Sequence, residues 1–259
     1  MKFASLLVII LMCGCLAGCA SYATPGRAAA MELFGATAAK SPQQQGTDPW
    51  ISTELNRKPM ATFPAAIAMA RVQAPGYWSY SRPLTYGQGQ FTVVTSRDVE
   101  SDQQLERLEK LPMLRGLAPL NRLVIPSVLQ TDADLRTAAA KLRADILLVD
   151  TLDTRFEEKS RATPLAVVTL GAAPTDQMYV ACTASAALLD TRSGYVYGLA
   201  EATERREAAR NAWTTEMEID RFRLNTERVA FESLVEELQK TWKRVVRENA
   251  TASGVYFTE

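Results

Sequence analysis

The chain has 259 residues, with 29 basic and 29 acidic side chains and no histidine. The balanced charge excludes a basic excess of the kind that attracts nucleic acid. The lack of histidine excludes Ser-His-Asp and Cys-His catalysis, and it excludes zinc sites that combine cysteine with histidine.

The N-terminal stretch MKFASLLVIILMCGCLAGC has the features of a secretion signal. Lys2 gives a positive start, and residues 3–16 form an almost unbroken apolar run. A transmembrane helix needs about 20 apolar residues, so this run is too short to span a membrane and fits the apolar region of a signal. The run ends in a Leu-Ala-Gly-Cys motif at residues 16–19, which resembles the lipobox of bacterial lipoproteins.

The lipobox resemblance implies that the chain is cut before Cys19, that residues 1–18 are removed, and that the Cys19 thiol is acylated. Cys13 and Cys15 lack the same lead-in, and the alternative is an ordinary signal with a chance cysteine. Two or more long acyl chains hold a protein at a membrane essentially permanently. The residue after Cys19 is Ala rather than Asp. In this class that favours the outer membrane, with the domain facing the periplasm.

Composition divides the rest of the chain into a linker, one domain and a tail. The segment KSPQQQGTDPW is rich in turn formers and has no apolar period, which is typical of a flexible linker. A short helix over residues 28–39 is compatible with its alanines. The predicted boundaries are a lipidated linker at 19–60, a single α/β domain at 61–250 and a C-terminal tail at 251–259.

Apolar periodicity and turn residues predict alternating strands and helices within the domain. Pro112 ends the first helix, and Thr131 or Asp132 caps the second. The predicted elements are strand 63–73, strand 91–98, helix 101–111, strand or extended segment 121–129, helix 131–144, strand 145–157, strand 176–190, strand 195–207 and helix 226–247.

The late part of the chain predicts a long hairpin covered by a helix. Gly194 in DTRSG can take the positive φ that closes such a turn. Small side chains in strand 176–190 would let a helix pack closely, and helix 226–247 has a continuous apolar face. The charge-rich segment 202–228 is interpreted as a solvated connection that Trp213 anchors. The predicted fold class is therefore α/β (an α+β sandwich), with a mixed sheet and two or three helices.

The pattern AAAKLRADILLVDTL, the pattern SAALLDTRSGYVYG and the lipobox together resemble curli secretion lipoprotein-like proteins. Their α/β domain is similar to the N-terminal domain of the Tol-system translocation protein. The resemblance covers about residues 63–248 and implies a mixed α/β domain. It does not extend to a membrane pore, because the only candidate segment, 162–178, lacks the alternation of two membrane-spanning strands. That segment is interpreted as a buried strand and loop, or as an apolar surface that meets a partner or lipid.

The remaining chemical candidates are few. Cys19 is the one predicted modification site, and Cys182 is predicted to be a small core residue, without a disulfide partner once Cys19 is lipidated. The aromatic-rich loop 74–90 either covers a sheet edge or binds a partner. Four carboxylates scattered among strand ends make a weak case for an acid site: Asp145, Asp150, Asp153 and Asp190.

The sequence thus predicts no catalytic residue, no cofactor and no metal ligand, and no nucleic-acid partner. The leading hypothesis is a non-enzymatic, lipid-anchored envelope protein, an adaptor or structural domain that binds another envelope protein. The alternatives are an oligomeric component of a secretion or surface-assembly system, and a hydrolase that uses carboxylates. Self-association into a homo-oligomer is compatible with the adaptor hypothesis and with a secretion or surface-assembly component.

Overall fold

The computed structural model describes residues 49–77, 84–160, 176–211 and 214–250. Within these ranges the helices are α1 (Pro49–Leu55), α2 (Asp102–Glu109), α3 (Asp132–Lys141) and α4 (Glu216–Asn249). The strands are β1 (Ala65–Gln73), β2 (Thr85–Tyr86), β3 (Gln88–Gly89), β4 (Thr92–Val94), β5 (Leu114–Pro119), β6 (Val128–Leu129), β7 (Ile146–Ser160), β8 (Asp176–Asp190) and β9 (Val196–Arg210).

One mixed sheet organises the domain. Its strand order is β2-β4-β1-β7-β8-β9, with β5 also paired to β1, and β3 and β6 form a separate two-stranded sheet. Strand β1 is parallel to β5 and β7 and antiparallel to β4. Strands β7, β8 and β9 are antiparallel and 15 residues long, so they extend well beyond the shorter strands of the sheet.

Helices cover the two faces of the sheet unequally. Helices α2 and α4 pack on one face, where Phe231, Leu234 and Trp242 lie in the largest apolar core. Helix α3 packs on the other face, where Leu135 and Ala138 contribute to a second core. Because α3 is only 10 residues long, it covers the short end of the sheet, and no described helix covers the extended part of β7–β9 on that face.

Helix α4 approaches the hairpin most closely at a glycine in β9. An ideal Cβ at Gly198 would lie 2.6 Å from Cγ2 of Thr241, closer than carbon atoms pack. Trp242, on the next position of the helix, donates from Nε1 to the carbonyl oxygen of Pro112 at 2.7 Å. The small residues predicted to admit the helix lie in β8. Of these, Ala184 and Ala186 lie in the same core as α4, whereas Thr183 and Ser185 lie on the opposite face.

The predicted fold class is confirmed, with a mixed sheet, a late antiparallel hairpin and a long C-terminal helix. Strand 176–190 has the predicted bounds, and the turn at Gly194 has φ +72°. Helix α2 begins with the capping box of Ser101 and Gln104. Helix α3 begins after Thr131, one of the two predicted caps.

Two predictions about elements are wrong. Segment 121–129 is a turn followed by the two residues of β6, and the strand that pairs with β1 is instead β5, for which no element was predicted. Segment 202–228 is not a connection, because β9 runs to Arg210 and α4 begins at Glu216. The Thr215–Glu218 capping box starts α4 ten residues before the predicted helix.

Several predictions concern residues outside the described ranges. They include the signal and lipobox, the helix at 28–39, Trp213, the tail at 251–259, and residues 162–175 of the apolar segment. No described helix is both long and apolar enough to pass through a bilayer.

Replacing Gly198 by alanine tests the close packing of α4 on β9. The added methyl group would meet Thr241, and overpacking of this kind costs about 1–3 kcal/mol of unfolding free energy. Gly116→Ala is the matched control, since a Cβ there has no heavy atom within 4 Å. Urea denaturation measures both variants, and equal stabilities would contradict the packing.

Candidate functional site

The four aspartates considered from the sequence do not form one acid site. Asp145 and Asp190 lie at the same end of neighbouring strands, where the Thr191 amide donates to the Asp145 carbonyl oxygen at 3.0 Å. Asp150 faces α4 in the centre of the sheet, whereas Asp153 lies on the opposite face. Each carboxylate has its own structural partners, so the arrangement offers no pair for general acid and base catalysis.

Asp190 is the centre of the turn between β8 and β9, residues 190–194, called here the Asp190 turn. Its carboxylate accepts hydrogen bonds from the amides of Arg192 and Ser193 at 2.8 and 2.9 Å. The hydroxyl of Tyr197 donates to it at 2.8 Å. Although burial alone would raise the pKa of Asp190, these hydrogen bonds and one from Met60 hold that pKa below its usual value. The carboxylate is therefore ionised and fixed.

The Asp190 turn also holds the chain that arrives from the N-terminus. The Met60 amide donates to Asp190 at 2.6 Å, and the Ala61 amide donates to the Tyr197 hydroxyl at 2.9 Å. Arg57 donates from Nη1 to the Ser193 carbonyl oxygen at 2.7 Å. Residues 57–61, at the end of the predicted linker, are thus attached to the tip of the hairpin before the chain enters β1.

A group of charged side chains is buried between the sheet and the N-terminal half of α4. We call it the buried charge cluster. It contains two arginines and four carboxylates: Arg71, Glu100, Asp150, Asp220, Arg223 and Glu227.

The contacts within the cluster join strands β1 and β7 to α4. Arg71 donates from Nε to Asp150 at 2.6 Å, and its Nη2 lies 3.1 Å from Glu100. Arg223 pairs with Glu227, which also accepts a hydrogen bond from the Thr154 hydroxyl at 2.7 Å. The guanidinium of Arg71 stacks 4.8 Å from the ring centre of Phe231 on α4. Charge pairing and cation–π contact together offset part of the cost of burying these ions.

Burial and the excess of carboxylates shift the pKa values of the groups in and around the cluster. Burial raises the pKa of Asp150 to about 6, against the attraction of Arg71 and with the repulsion of Glu100. Burial also raises the pKa of Tyr77 to about 12. The pKa of the Cys182 thiol rises to about 12 through burial and through the charge of Glu227. Cys182 lies in the core, as predicted, and its thiol is protonated at neutral pH.

The space beside the cluster is too small for an organic ligand. A cavity of about 10 Å³ is lined by residues that include Arg71, Tyr77 and Glu227, which is room for about one water molecule. Among the described residues no group of three carboxylate or cysteine side chains is placed to hold a metal ion. The cluster is therefore best explained as a structural connection between the sheet and α4.

The sequence analysis missed the cluster, although one signal for it is visible. Arg71 interrupts the apolar strand AAIAMARVQ, and Asp150 ends the apolar run ILLVD. Two opposite charges in two buried strands indicate a pair across the sheet. The contribution of Arg223 and Glu227 is not visible in this way, because charges on a long helix are normally exposed.

The extended part of β7–β9 has a face opposite to α4 that no described element covers, and we call it the outer hairpin face. The Thr183 and Thr203 hydroxyl oxygens lie 2.9 Å apart across β8 and β9, and Ser185 donates to Glu201 at 3.0 Å. Arg155, on the same face of β7, is exposed and pairs with Asp153. The face is polar and of mixed charge.

The aromatic-rich loop at 74–90 is only partly within the described residues. Tyr77 lies beside the buried charge cluster, and Tyr86 lies in β2 with the Arg122 guanidinium 5.8 Å from its ring centre. Tyr86 thus belongs to the edge strand of the sheet, and both interpretations of the loop stay predictions. Trp78 and Tyr80 lie outside the described residues.

No protein-family profile matches the sequence, and no curated protein matches it. A candidate homologue of neuraminyllactose-binding hemagglutinin from Helicobacter pylori overlaps 74% of this chain and 95% of its own, with 9% identity and a TM-score of 0.39. The lipoprotein GNA1162 from Neisseria meningitidis overlaps 68% of this chain and 99% of its own, with 12% identity and a TM-score of 0.26.

A candidate lipoprotein from Caulobacter crescentus overlaps 40% of this chain and 68% of its own, with 10% identity and a TM-score of 0.26. Two of these three structures are thus described as lipoproteins of Gram-negative bacteria. Scores and identities this low carry no information about function, and the predicted curli-type domain stays a prediction.

Asp150→Asn tests the electrostatics of the buried charge cluster. The pKa of Asp150 is higher in the folded protein than its ordinary value of 3.8. Its contribution to stability is therefore complete below pH 3.8 and is lost as the pH rises through about 6. This loss amounts to on the order of 3 kcal/mol, and Asp150→Asn should remove it from the pH profile of unfolding free energy.

The control is Asp153→Asn, which should keep the wild-type profile because Asp153 pairs with an exposed arginine on the other face. Carbon NMR of the Asp150 carboxyl group gives a direct check in the wild-type protein. Titration at the ordinary carboxylate pKa, or an unchanged profile in Asp150→Asn, would contradict the assignment.

Asp190→Ala tests the attachment of residues 57–61. The change leaves the Met60 amide and the buried Tyr197 hydroxyl without their acceptor, and an unpaired buried polar group costs about 1–3 kcal/mol. We expect faster hydrogen exchange at the amides of both Met60 and Ala61. Tyr197→Phe should accelerate exchange at Ala61 more than at Met60, and slow exchange at both amides in Asp190→Ala would disprove the attachment.

Proposed function

We propose that the protein is a non-enzymatic, lipid-anchored adaptor of the bacterial envelope. The observation that carries the proposal is the Leu-Ala-Gly-Cys motif at residues 16–19, which follows a positively charged start and an apolar run. Cys19 carries the lipid, and the α+β domain faces the periplasm from the outer membrane. The proposal assigns no catalytic residue and no cofactor.

The structural contacts of the carboxylates that were considered as catalytic acids support a binding role rather than a hydrolase activity. Asp145 is paired with Arg115 and Arg192 at 3.1 and 3.2 Å. Asp150 and Asp190 are buried with their own partners. A hydrolase that uses carboxylates needs them free to exchange protons with a substrate, and these carboxylates are instead engaged in holding strands, turns and helices together.

The outer hairpin face is the surface that we assign to the partner. It projects beyond α3 and combines hydroxyl groups with charges of both signs. We propose a partner that is itself an envelope protein with a polar surface of mixed charge. Confinement by the lipid raises the effective concentration of the domain near such a partner, so a polar interface of modest affinity is sufficient.

Metabolic labelling with an alkyne fatty acid tests the anchor. Wild-type protein should be labelled and should fractionate with the outer membrane, whereas Cys19→Ala should be unlabelled. Cys13→Ala and Cys15→Ala are matched controls that should keep the label, because both residues precede the cut. Label on Cys19→Ala, or loss of label in either control, would contradict the assignment.

A photo-reactive amino acid at Thr183 or Thr203 tests the surface. We expect a crosslinked product from these positions that weakens in Cys19→Ala, and none from Leu123, which is 93% exposed on another part of the domain. Equal crosslinking from all three positions would exclude a specific partner at the outer hairpin face.

A further inference from the structure

Strand β9 ends the sheet and is unusually long for an edge strand. Among the described residues it pairs with β8 alone, along 15 residues. An edge of this length presents a row of backbone donors and acceptors that can pair with a strand from another chain. The opposite end of the sheet has only the short strands β2 and β4.

The side chains of β9 carry charges of both signs that have no partner in the described structure. Glu204, Arg205, Arg206 and Glu207 form no hydrogen bond or ion pair with any described residue. Glu204 and Arg206 are half-buried and share the face of the sheet that α4 covers. Arg205 and Glu207 are exposed and share the outer hairpin face. These four side chains have no net charge, and each face of the edge carries one positive and one negative side chain.

We propose that β9 pairs antiparallel with β9 of a second copy of this chain, across a twofold axis that passes near Arg205 and is perpendicular to the sheet. This axis places Glu204 of each copy opposite Arg206 of the other. On the outer hairpin face the two Arg205 side chains meet, each with a Glu207 of the other copy on the diagonal. Directly opposed and diagonal side chains are both within reach of long charged residues in an antiparallel pair.

The geometry of the axis agrees with the rest of the fold. A twofold axis perpendicular to the sheet keeps residues of one face on that face, so the α4 helices of both copies lie on the same side. The interface is isologous and closes after two copies. Two seven-stranded sheets become one continuous sheet.

The charge pattern favours a second copy over an unrelated strand. An uncharged strand would leave four charged side chains without partners along the edge, and charges on an edge strand normally discourage such pairing. A second β9 places an opposite charge directly across from Glu204 and Arg206. It supplies Glu207 only on the diagonal from Arg205, so the pairs on the α4 face carry the complementarity. The inference does not depend on the lipid anchor, because the edge belongs to the domain itself.

Charge reversal tests the dimer in the full-length protein, extracted in mild detergent and measured by native mass spectrometry over a range of concentrations. We expect a dimer for the wild type. Glu204→Arg alone and Arg206→Glu alone each place like charges opposite one another twice, and each should weaken association roughly tenfold or more. The double variant Glu204→Arg/Arg206→Glu restores opposite charges and should restore the dimer.

Mixing the two single variants gives a sharper result. Glu204→Arg has arginine at positions 204 and 206, and Arg206→Glu has glutamate at both. The two variants should therefore form a heterodimer when they are mixed, although each alone should associate only weakly. Glu236→Arg, the same change at an exposed position of α4, is the matched control and should leave the dimer intact. Recovery in the double variant and in the mixture also shows that the single variants are folded.

Three results would overturn the proposal. One is a wild-type protein that stays monomeric at all concentrations. Another is a dimer that neither single reversal weakens. The third is a photo-reactive residue at Thr203 that never crosslinks to a second copy, because Thr203 lies opposite Glu207 of the second copy in the proposed dimer. Loss of lipid labelling in cells would count against the adaptor function but would leave the dimer proposal standing.

Discussion

The ion pair between Arg71 and Asp150 fixes the relation between the sheet and its longest helix. The two side chains come from neighbouring parallel strands at the centre of the sheet, and both are almost completely buried. Removing two charges from water costs several kcal/mol per ion unless every charge has partners. Glu100, the ring of Phe231 and the nearby Arg223–Glu227 pair supply those partners. The N-terminal half of α4 therefore has one position over the sheet in which this requirement is met.

The two halves of α4 are held by different interactions. The C-terminal half packs through an apolar face that includes Trp242 and through the close approach at Gly198. Apolar contacts tolerate small shifts along a helix axis, whereas paired charges with short hydrogen bonds do not. The buried charge cluster thus adds specificity of position to a helix whose burial in the core already stabilises it. The same division explains why the apolar face of the C-terminal half could be predicted from the sequence, whereas the charged start of the helix could not.

Sequence patterns predicted the parts of the fold that follow local rules. The apolar alternation of β8, the glycine at 194 and the apolar face of α4 each depend on spacing alone. The patterns failed where a tertiary contact decides the outcome. Strand β5 forms because β1 offers it a parallel edge, although Leu114–Pro119 contains a glycine and a proline. Asp220, Arg223 and Glu227 of α4 are buried at a place where Thr154 on the sheet donates to Glu227 and Arg71 stacks on the Phe231 ring.

The candidate functional features also divide into those that a local sequence pattern predicts and those that depend on tertiary contacts. Cys19 is a prediction from a short motif and lies outside the described residues. Asp190 was visible in the sequence as a turn residue, but its role in holding Met60 depends on a contact over 130 positions of the chain. The free edge of β9 is a property of the whole sheet. No local pattern shows which strand is last in a sheet, so this surface emerges only from the topology.

The attachment of residues 57–61 to the Asp190 turn has a mechanical consequence. If a lipid at Cys19 holds the protein against a membrane, tension along the tether reaches the hydrogen bonds of Met60 and Ala61 before it reaches β1. Those bonds join the tether to the tip of the β8–β9 hairpin, so the first load falls on a tight turn held by a buried carboxylate. The turn would therefore bear tension applied at the anchor and keep that tension from separating β1 from the sheet.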